Sequence, residues 1–222
     1  MQPINKGVDM KDIAIYGAGG FGREVACLIN RINRQHPDTW NFIGFFDDDE
    51  KIWGDCNEYG EILGGMDALN QWEKPLDIVI AIGNPLILKL VADKIKNANI
   101  SFPNLIDPNV EFMDRNNVTM GQGNVICMRS TISTNVKFGC FNLLNVAVGV
   151  GHDASFGDFN VLMPNVNISG GVTIGNTCLF GVKSTVLQYL KVGDRVKIGA
   201  CSLLMRNAKT DNLYFGIPAE RK

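Results

Sequence analysis

Written six residues at a time, the stretch Met120 to Lys209 reads MGQGNV ICMRST ISTNVK FGCFNL LNVAVG VGHDAS FGDFNV LMPNVN ISGGVT IGNTCL FGVKST VLQYLK VGDRVK IGACSL LMRNAK. The fifteen leading residues are Met120, Ile126, Ile132, Phe138, Leu144, Val150, Phe156, Leu162, Ile168, Ile174, Phe180, Val186, Val192, Ile198 and Leu204, every one large and apolar. The residue four places later is small or β-branched in most blocks, as at Val136, Val148, Ala154, Val166, Val172, Ser184 and Ser202, and glycine is frequent one place after the leader. Periods of 2 or 3.6 residues do not generate this spacing. A triangular prism with one block per face does, because it turns the first and fifth residues inward. Three blocks make a coil of 18 residues, so fifteen blocks make five coils, stacked at the spacing of neighbouring strands to a height of roughly 24 Å. The sequence from about 105 to 210 therefore specifies a left-handed parallel β-helix of hexapeptide repeats.

An 18-residue coil aligns residues in columns. Asn124, Asn142 and Asn160 share one column, which suits a ladder of side-chain amides. Val125, Leu143, Val161 and Leu179 share the next. The prism rule turns that column outward, where an apolar stripe calls for a partner surface and a homo-oligomer is expected.

The first half has different punctuation. Asp12–Tyr16 is a short apolar strand, followed by the cluster Gly17-Ala18-Gly19-Gly20-Phe21-Gly22 and a helix with apolar spacing through Val25, Leu28 and Ile29. Phe42–Phe46 is a second strand closed by Asp47, Asp48 and Asp49; Asp77–Ile82 is a third; Pro85–Ala98 has helical periodicity. Alternation of this kind implies a small parallel sheet. The expected organisation is a parallel α/β domain over residues 1–106 and a β-helix over 107–222.

Composition narrows the function. A net charge of -2 and a pI near 5.7 give no electrostatic support for nucleic acid or an anionic membrane. Met1–Met10 is polar, without a signal-peptide core, and no run of about 18 apolar residues occurs. The six cysteines show no C-x-x-C spacing and fit a reduced cytoplasm. A small-molecule partner is expected.

Of two histidines, His36 lies in the polar stretch NRQHPDTW and reads as a surface residue. His152 is third in its block, so it faces outward, beside Asp153; one coil later the same positions hold Gly170 and Gly171. The pattern describes a notch without side-chain walls next to a titratable pair. An imidazole there can take a proton from an attacking amine or hydroxyl, a neighbouring carboxylate can fix its tautomer, and a backbone N–H can meet a developing oxyanion. An exposed turn histidine fits the same residues. Zinc chemistry on this scaffold needs about three histidine ligands, which two histidines cannot supply, and a serine or cysteine nucleophile lacks a second histidine to activate it. Direct acyl transfer remains. The glycine cluster satisfies G-x-G-x-x-G with Asp47 and Asp48 downstream, so a nucleotide or nucleotide sugar, NAD, or tight strand-to-helix packing all account for it.

Together, GAGGFGREVA (Gly17 to Ala26), IGFFDDD (Ile43 to Asp49), AIGNP (Ala81 to Pro85), GHD (Gly151 to Asp153), ISGGVTIG (Ile168 to Gly175) and GIPA (Gly216 to Ala219) resemble one family over nearly the whole chain. These are the sialic acid O-acetyltransferase and nucleotide-amino-sugar N-acetyltransferase type enzymes of bacterial surface-glycan synthesis. The resemblance implies a Rossmann-like N-terminal domain joined to a left-handed β-helix, assembled as a homotrimer with acetyl-CoA bound between neighbouring β-helices and no metal. It implies His152 as general base, Asp153 as its acidic neighbour and Gly170 as the glycine whose N–H contacts the acetyl carbonyl. Val182, Ala200, Gly216, Ile217 and Pro218 match the coenzyme track, and Gly17, Gly19, Gly20, Phe21, Asp47 and Asp48 the sugar-nucleotide side. Many members carry a further histidine nine residues after the base, where this chain has Val161, and another in the glycine loop, where it has Phe21. The expected activity is acetyl transfer from acetyl-CoA to an amine, or a hydroxyl, of an activated sugar. The alternatives are sialic acid O-acetylation and a non-catalytic trimeric scaffold or nucleotide sensor.

Overall fold

The six-residue period becomes three parallel sheets wound around one core. The computed structural model describes residues 10–37 and 39–222, so all of the polar Met1–Met10 stretch except Met10 lies outside the described residues. The chain divides into two compact units, one running through Ala81 and including Ile95–Ser101, the other comprising Ile82–Lys94 and Phe102–Lys222.

In the first unit β1 (Lys11–Tyr16), β2 (Trp40–Phe46), β3 (Leu76–Ile80) and β4 (Ile100–Ser101) form a parallel sheet in the order β2-β1-β3-β4. Ile13, Ala14, Ile15 and Tyr16 are all buried, which is why β1 reads as a continuous apolar run, as a sheet covered on both faces demands. Helix α1 (Gly20–Gln35) presents Val25, Ala26, Leu28, Ile29 and Ile32 inward. The structure adds a one-turn helix α2 (Met66–Asn70), too short to leave a periodic signature. Helix α3 (Pro85–Lys94) ends four residues before the expected Ala98. Asn97 stops it: its side chain donates to Leu69 O and Trp72 O and accepts from Asn99 N, tying that segment to the first unit while α3 belongs to the second.

In the β-helix fourteen of the fifteen leading residues, all but Met120, are at most 5% exposed, each stabilising the fold by about 1.5–3 kcal/mol through its buried area. The coil extends further than the sequence period shows. Leu105–Ile106, where the sequence places the start of the β-helix, pairs with Val125–Ile126, and Glu111–Phe112 pairs with Thr131–Ile132. Ile106 faces Ile126, twenty residues on, because two extra residues are taken up around the 3-10 turn Arg115–Asn117. At the other end Ile198 faces Tyr214, only sixteen residues on, and Glu220–Arg221 closes the stack as an antiparallel strand.

From Gly123 to Cys201 every sixth residue has φ between +53° and +71°. These are the corners of the prism, and only Gly123 and Gly171 among them are glycine.

The asparagine column forms the expected ladder. Asn124 Oδ1 accepts from Asn142 N (2.9 Å) and Nδ2 (3.1 Å), and Asn142 Oδ1 accepts from Asn160 N (3.1 Å) and Nδ2 (2.9 Å). Asn104 begins the series. Cys178 ends it, its thiol donating to Gly193 O at 3.0 Å where Asn160 Nδ2 donates to Gly175 O. Burial pushes that thiol up to about 12, so it stays protonated and can serve as the donor.

The neighbouring column corrects the sequence reading in part: Val125, Leu143 and Val161 are at most 2% exposed, and of the four only Leu179 remains partly exposed. Lys89 of α3 lies 5.6 Å over the ring of Phe159, two residues before Val161. Phe159 stacks on Phe141 at 5.1 Å, and Phe102 meets Phe141 edge-on. The helix and these rings lie along that side of the coil.

Candidate active site

Coil geometry leaves one backbone donor over at each corner. The first corner residue donates its N–H to the following coil and the third to the preceding coil: Ser169 N bonds Val186 O at 3.0 Å and Gly171 N bonds His152 O at 2.7 Å. The N–H of the second residue pairs with neither.

Along one edge side chains from the following coil cap this donor. Asp158 Oδ1 accepts from Cys140 N (2.7 Å), Asn176 Oδ1 from Asp158 N (2.8 Å), Asp194 Oδ1 from Asn176 N (2.7 Å) and Thr210 Oγ1 from Asp194 N (3.2 Å). The capping groups pass so close that a Cβ on Gly139 would lie 2.2 Å from Asp158 Oδ1. This steric demand explains the frequent glycines one place after the leading residue on that edge.

The edge carrying His152 is built otherwise. Its second-position column reads Thr134, His152, Gly170, Gln188, Arg206. Among the described residues the Gly170 N–H has no hydrogen-bond acceptor. A Cβ on Gly170 would lie 2.5 Å from His152 Nε2 and 2.7 Å from Cε1, so the imidazole fills the space that only glycine vacates. The sequence reading expected free N–H groups at both glycines; Gly171 instead spends its N–H on His152 O, because the corner needs that bond.

His152 Nδ1 lies 2.7 Å from Asp153 Oδ2, with both side chains about half exposed. Asp153 sits at φ +58°, and that corner conformation swings its carboxylate back alongside the preceding side chain. Its other oxygen, Oδ1, accepts from Asn135 Nδ2 at 2.6 Å. Asn135 and His152 hold the Asp153 carboxyl below the usual carboxylate range, Asn135 contributing most. An ionised carboxylate only accepts, so the proton between the pair sits on Nδ1 and Nε2 of the neutral ring offers a lone pair.

Two residues of this site escaped the sequence reading. Asn135 lies one coil before Asp153, and an 18-residue offset from the acid would have found it. Tyr189 lies one coil after Gly171, is 72% exposed, and sits so close that a Cβ on Gly171 would come within 2.4 Å of Tyr189 Cδ1.

The other candidates fall elsewhere. Val182 and Ala200 stack one coil apart on a second edge of the prism. Gly216 continues that strip, its N–H donating to Ser202 Oγ (3.0 Å) and its carbonyl accepting from Leu203 N (3.0 Å). Ile217 beside it is fully exposed to one side at 74%, and Pro218 follows through a cis peptide. The chain thus places the His152 notch and this strip on different edges of the prism.

In the first unit the glycine cluster serves two ends. Gly17, at φ +109°, donates to Phe46 O (2.7 Å), and a Cβ on Gly22 would lie 1.9 Å from Gly17 O, so both are required by packing. Gly19 and Gly20 have open space where a Cβ would stand, and α1 starts there with no side-chain cap. Phe21, partly exposed, follows. Asp47 accepts from Ala18 N (2.8 Å) through one oxygen and from Asp49 N (3.0 Å) through the other. It fastens the loop to the end of β2, a task that the ribose reading does not require. Asp48 accepts from Met66 N and from the Tyr16 hydroxyl, whose ionisation is pushed well above its ordinary range, by burial first and then by Asp48. His36 closes α1 at the surface. Among the described residues no group of three His, Cys, Asp or Glu side chains could hold a metal ion. No helix among them is long and apolar enough to cross a membrane.

Residues 12–95 match the family model described as the PglD N-terminal domain. Over 96% of its length the chain superposes on all of the acetyltransferase domain of PglB from Neisseria gonorrhoeae FA1090, with a TM-score of 0.86 and 24% identity. WeeI from Acinetobacter baumannii AYE matches 96% of this chain over its own full length, at TM-score 0.85 and 22% identity. PerB from Caulobacter crescentus, solved with CoA and GDP-perosamine, matches 95% of this chain over 97% of its own, at TM-score 0.81 and 22% identity. Residues 12–95 are thus similar to the PglD N-terminal domain, and by fold nearly the whole chain is similar to these bacterial proteins, which include the acetyltransferase domain of PglB.

Proposed function

We propose that the protein transfers an acetyl group from acetyl-CoA directly to an amine of a nucleotide-linked amino sugar. The observation that carries this reading is the uncapped Gly170 N–H beside His152 Nε2, in a notch that glycine alone leaves open. His152 Nε2 accepts the proton of the attacking amine, Asp153 Oδ2 accepts from Nδ1–H and stabilises the charge gained by the ring, and the Gly170 N–H donates to the carbonyl oxygen as negative charge grows there; the C–S bond then breaks and the coenzyme sulfur leaves as the thiol, taking the proton from His152. The same three groups serve a hydroxyl acceptor; the amine is favoured because PerB, of like fold, was solved with the nucleotide sugar GDP-perosamine. The open, uncapped start of α1 at Gly19 and Gly20 suits the phosphates of such an acceptor, with Phe21, Asp47 and Asp48 around it. The strip of Val182, Ala200 and Gly216 to Pro218 suits the coenzyme. Because strip and notch lie on different edges, one coenzyme reaching both is held between two copies, which supports a homotrimer. A cytoplasmic setting, where acetyl-CoA and nucleotide sugars are available, follows from this chemistry.

The test is release of free thiol from acetyl-CoA over a panel of nucleotide-linked amino sugars and free sialic acid. Turnover with a nucleotide amino sugar is expected, and no turnover with any acceptor would overturn the reading. Gly170→Ala should fold, since its φ is not in the left-handed region. Its added carbon displaces the imidazole, so kcat is expected to fall by about 10²-fold, comparable with losing one oxyanion donor. A kcat within threefold of the parent would remove the notch from the mechanism.

A further inference from the structure

We infer that Asn135, one coil before the His152–Asp153 pair, is a positioning residue that locks the catalytic imidazole in its Nδ1–H tautomer by holding Asp153. The inference rests on the proposed role of His152 as base and extends it to a residue that touches neither substrate.

The geometry is a three-member chain. Asn135 Nδ2 donates to Asp153 Oδ1 at 2.6 Å, and Asp153 Oδ2 faces His152 Nδ1 at 2.7 Å. A carboxylate whose two oxygens are both engaged cannot rotate about its terminal torsion, which is otherwise broad. With its plane fixed, Oδ2 stays on the Nδ1 side and Nε2 is left facing Gly170. The backbone reinforces the arrangement: Asn135 and Asp153 both occupy positive-φ corners, at +56° and +58°, and Asp153 N donates to Thr134 O at 3.1 Å. The two coils are therefore stitched together at this corner by one main-chain and one side-chain bond. Among the described residues, Asn135 and His152 are the hydrogen-bond partners of the Asp153 carboxylate.

Without Asn135 the carboxylate is free to turn to solvent, and the imidazole can then carry its neutral-state proton on Nε2, where it cannot act as base. The proposal is tested by ¹⁵N NMR of the histidine rings of the full chain. The protein has two histidines, and His36→Ala, a change at the far end of α1, leaves one ring to observe. Asn135→Gly is the variant of choice, because glycine adopts the corner conformation without strain. In the parent, the neutral His152 ring is expected to show the shift pattern of an Nδ1–H tautomer. In Asn135→Gly it should move towards the Nε2–H pattern, with kcat reduced about threefold to tenfold, KM unchanged and the melting temperature held. An unchanged tautomer pattern in Asn135→Gly would overturn the proposal, as would a loss of activity that tracks a loss of folded protein. The ring signals need no substrate, so absence of turnover with every acceptor would sink the acetyltransferase reading while the Asn135 tautomer lock is still read by itself.

Discussion

His152→Ala is expected to lower kcat for acetyl transfer by about 10³-fold, within the range supplied by a positioned general base. The expectation rests on isolation. The residues stacked on His152 in its column, Thr134 and Gly170, carry no imidazole that could stand in for it. Asp153 lies next to it, but its carboxyl is held in the ionised form by Asn135 and His152, and such a weak base takes an amine proton poorly near neutral pH. KM for acetyl-CoA should stay within about threefold, because the strip expected to hold the coenzyme lies on another edge, and an interaction made only in the transition state leaves ground-state binding alone. Steady-state thiol release with the best acceptor measures both constants. A variant keeping a tenth or more of parental kcat would remove His152 from the chemistry.

Asn142→Ala is expected to be the most destabilising single change in the β-helix. Asn142 is wholly buried. Its carbonyl oxygen serves both the N–H and the side-chain amide of Asn160, and its own amide supplies Asn124. Truncation strands two buried donors on Asn160 and opens a cavity in a closely stacked column. Each unsatisfied group costs about 1–3 kcal/mol, so a loss of roughly 3 kcal/mol follows, equivalent to a fall of roughly 10 °C in melting temperature for a chain of this size. Calorimetry should resolve it, with the exposed Asn167→Ala as a control that shifts by less than about 2 °C. Equal shifts for the two variants would show that the ladder contributes nothing special.

Much of this architecture is legible in the linear sequence because the repeat is strict. One leading apolar residue in six identified the fold, the inward positions and the asparagine ladder. The two-residue excess near Arg115–Asn117 and the two-residue deficit before Ala208 shift the phase of the period, so counting by six missed the coil at either end. The apolar column through Val161 misled for a different reason. Hexad position says which way a side chain leaves the coil but not that α3 and the phenylalanine rings run along that side. The site was legible as His152, Asp153 and Gly170 because all three sit at fixed offsets in the coil. Asn135 and Tyr189 were not, since asparagine and tyrosine on an exposed corner carry no chemical signature until a neighbour one coil away gives them a partner. In the first unit the glycine spacing is legible but ambiguous. Gly17 and Gly22 satisfy packing while Gly19 and Gly20 stand open, and only the backbone distinguishes the two kinds.

The positive-φ corners bear on how such a chain comes to be folded. Among the described residues thirteen other than glycine hold that conformation, at about 1 kcal/mol each relative to the right-handed alternative. A lone coil has strands of two or three residues and too few bonds to offset three such corners, so it has no stable existence of its own. Each rung must be templated on a finished one, and order spreads along the axis as in a one-dimensional zipper. The corner proposed for catalysis is assembled from residues of three successive rungs, so it comes into being only when the growing end has passed Gly171, and a nascent chain stalled before that point carries the histidine without its notch.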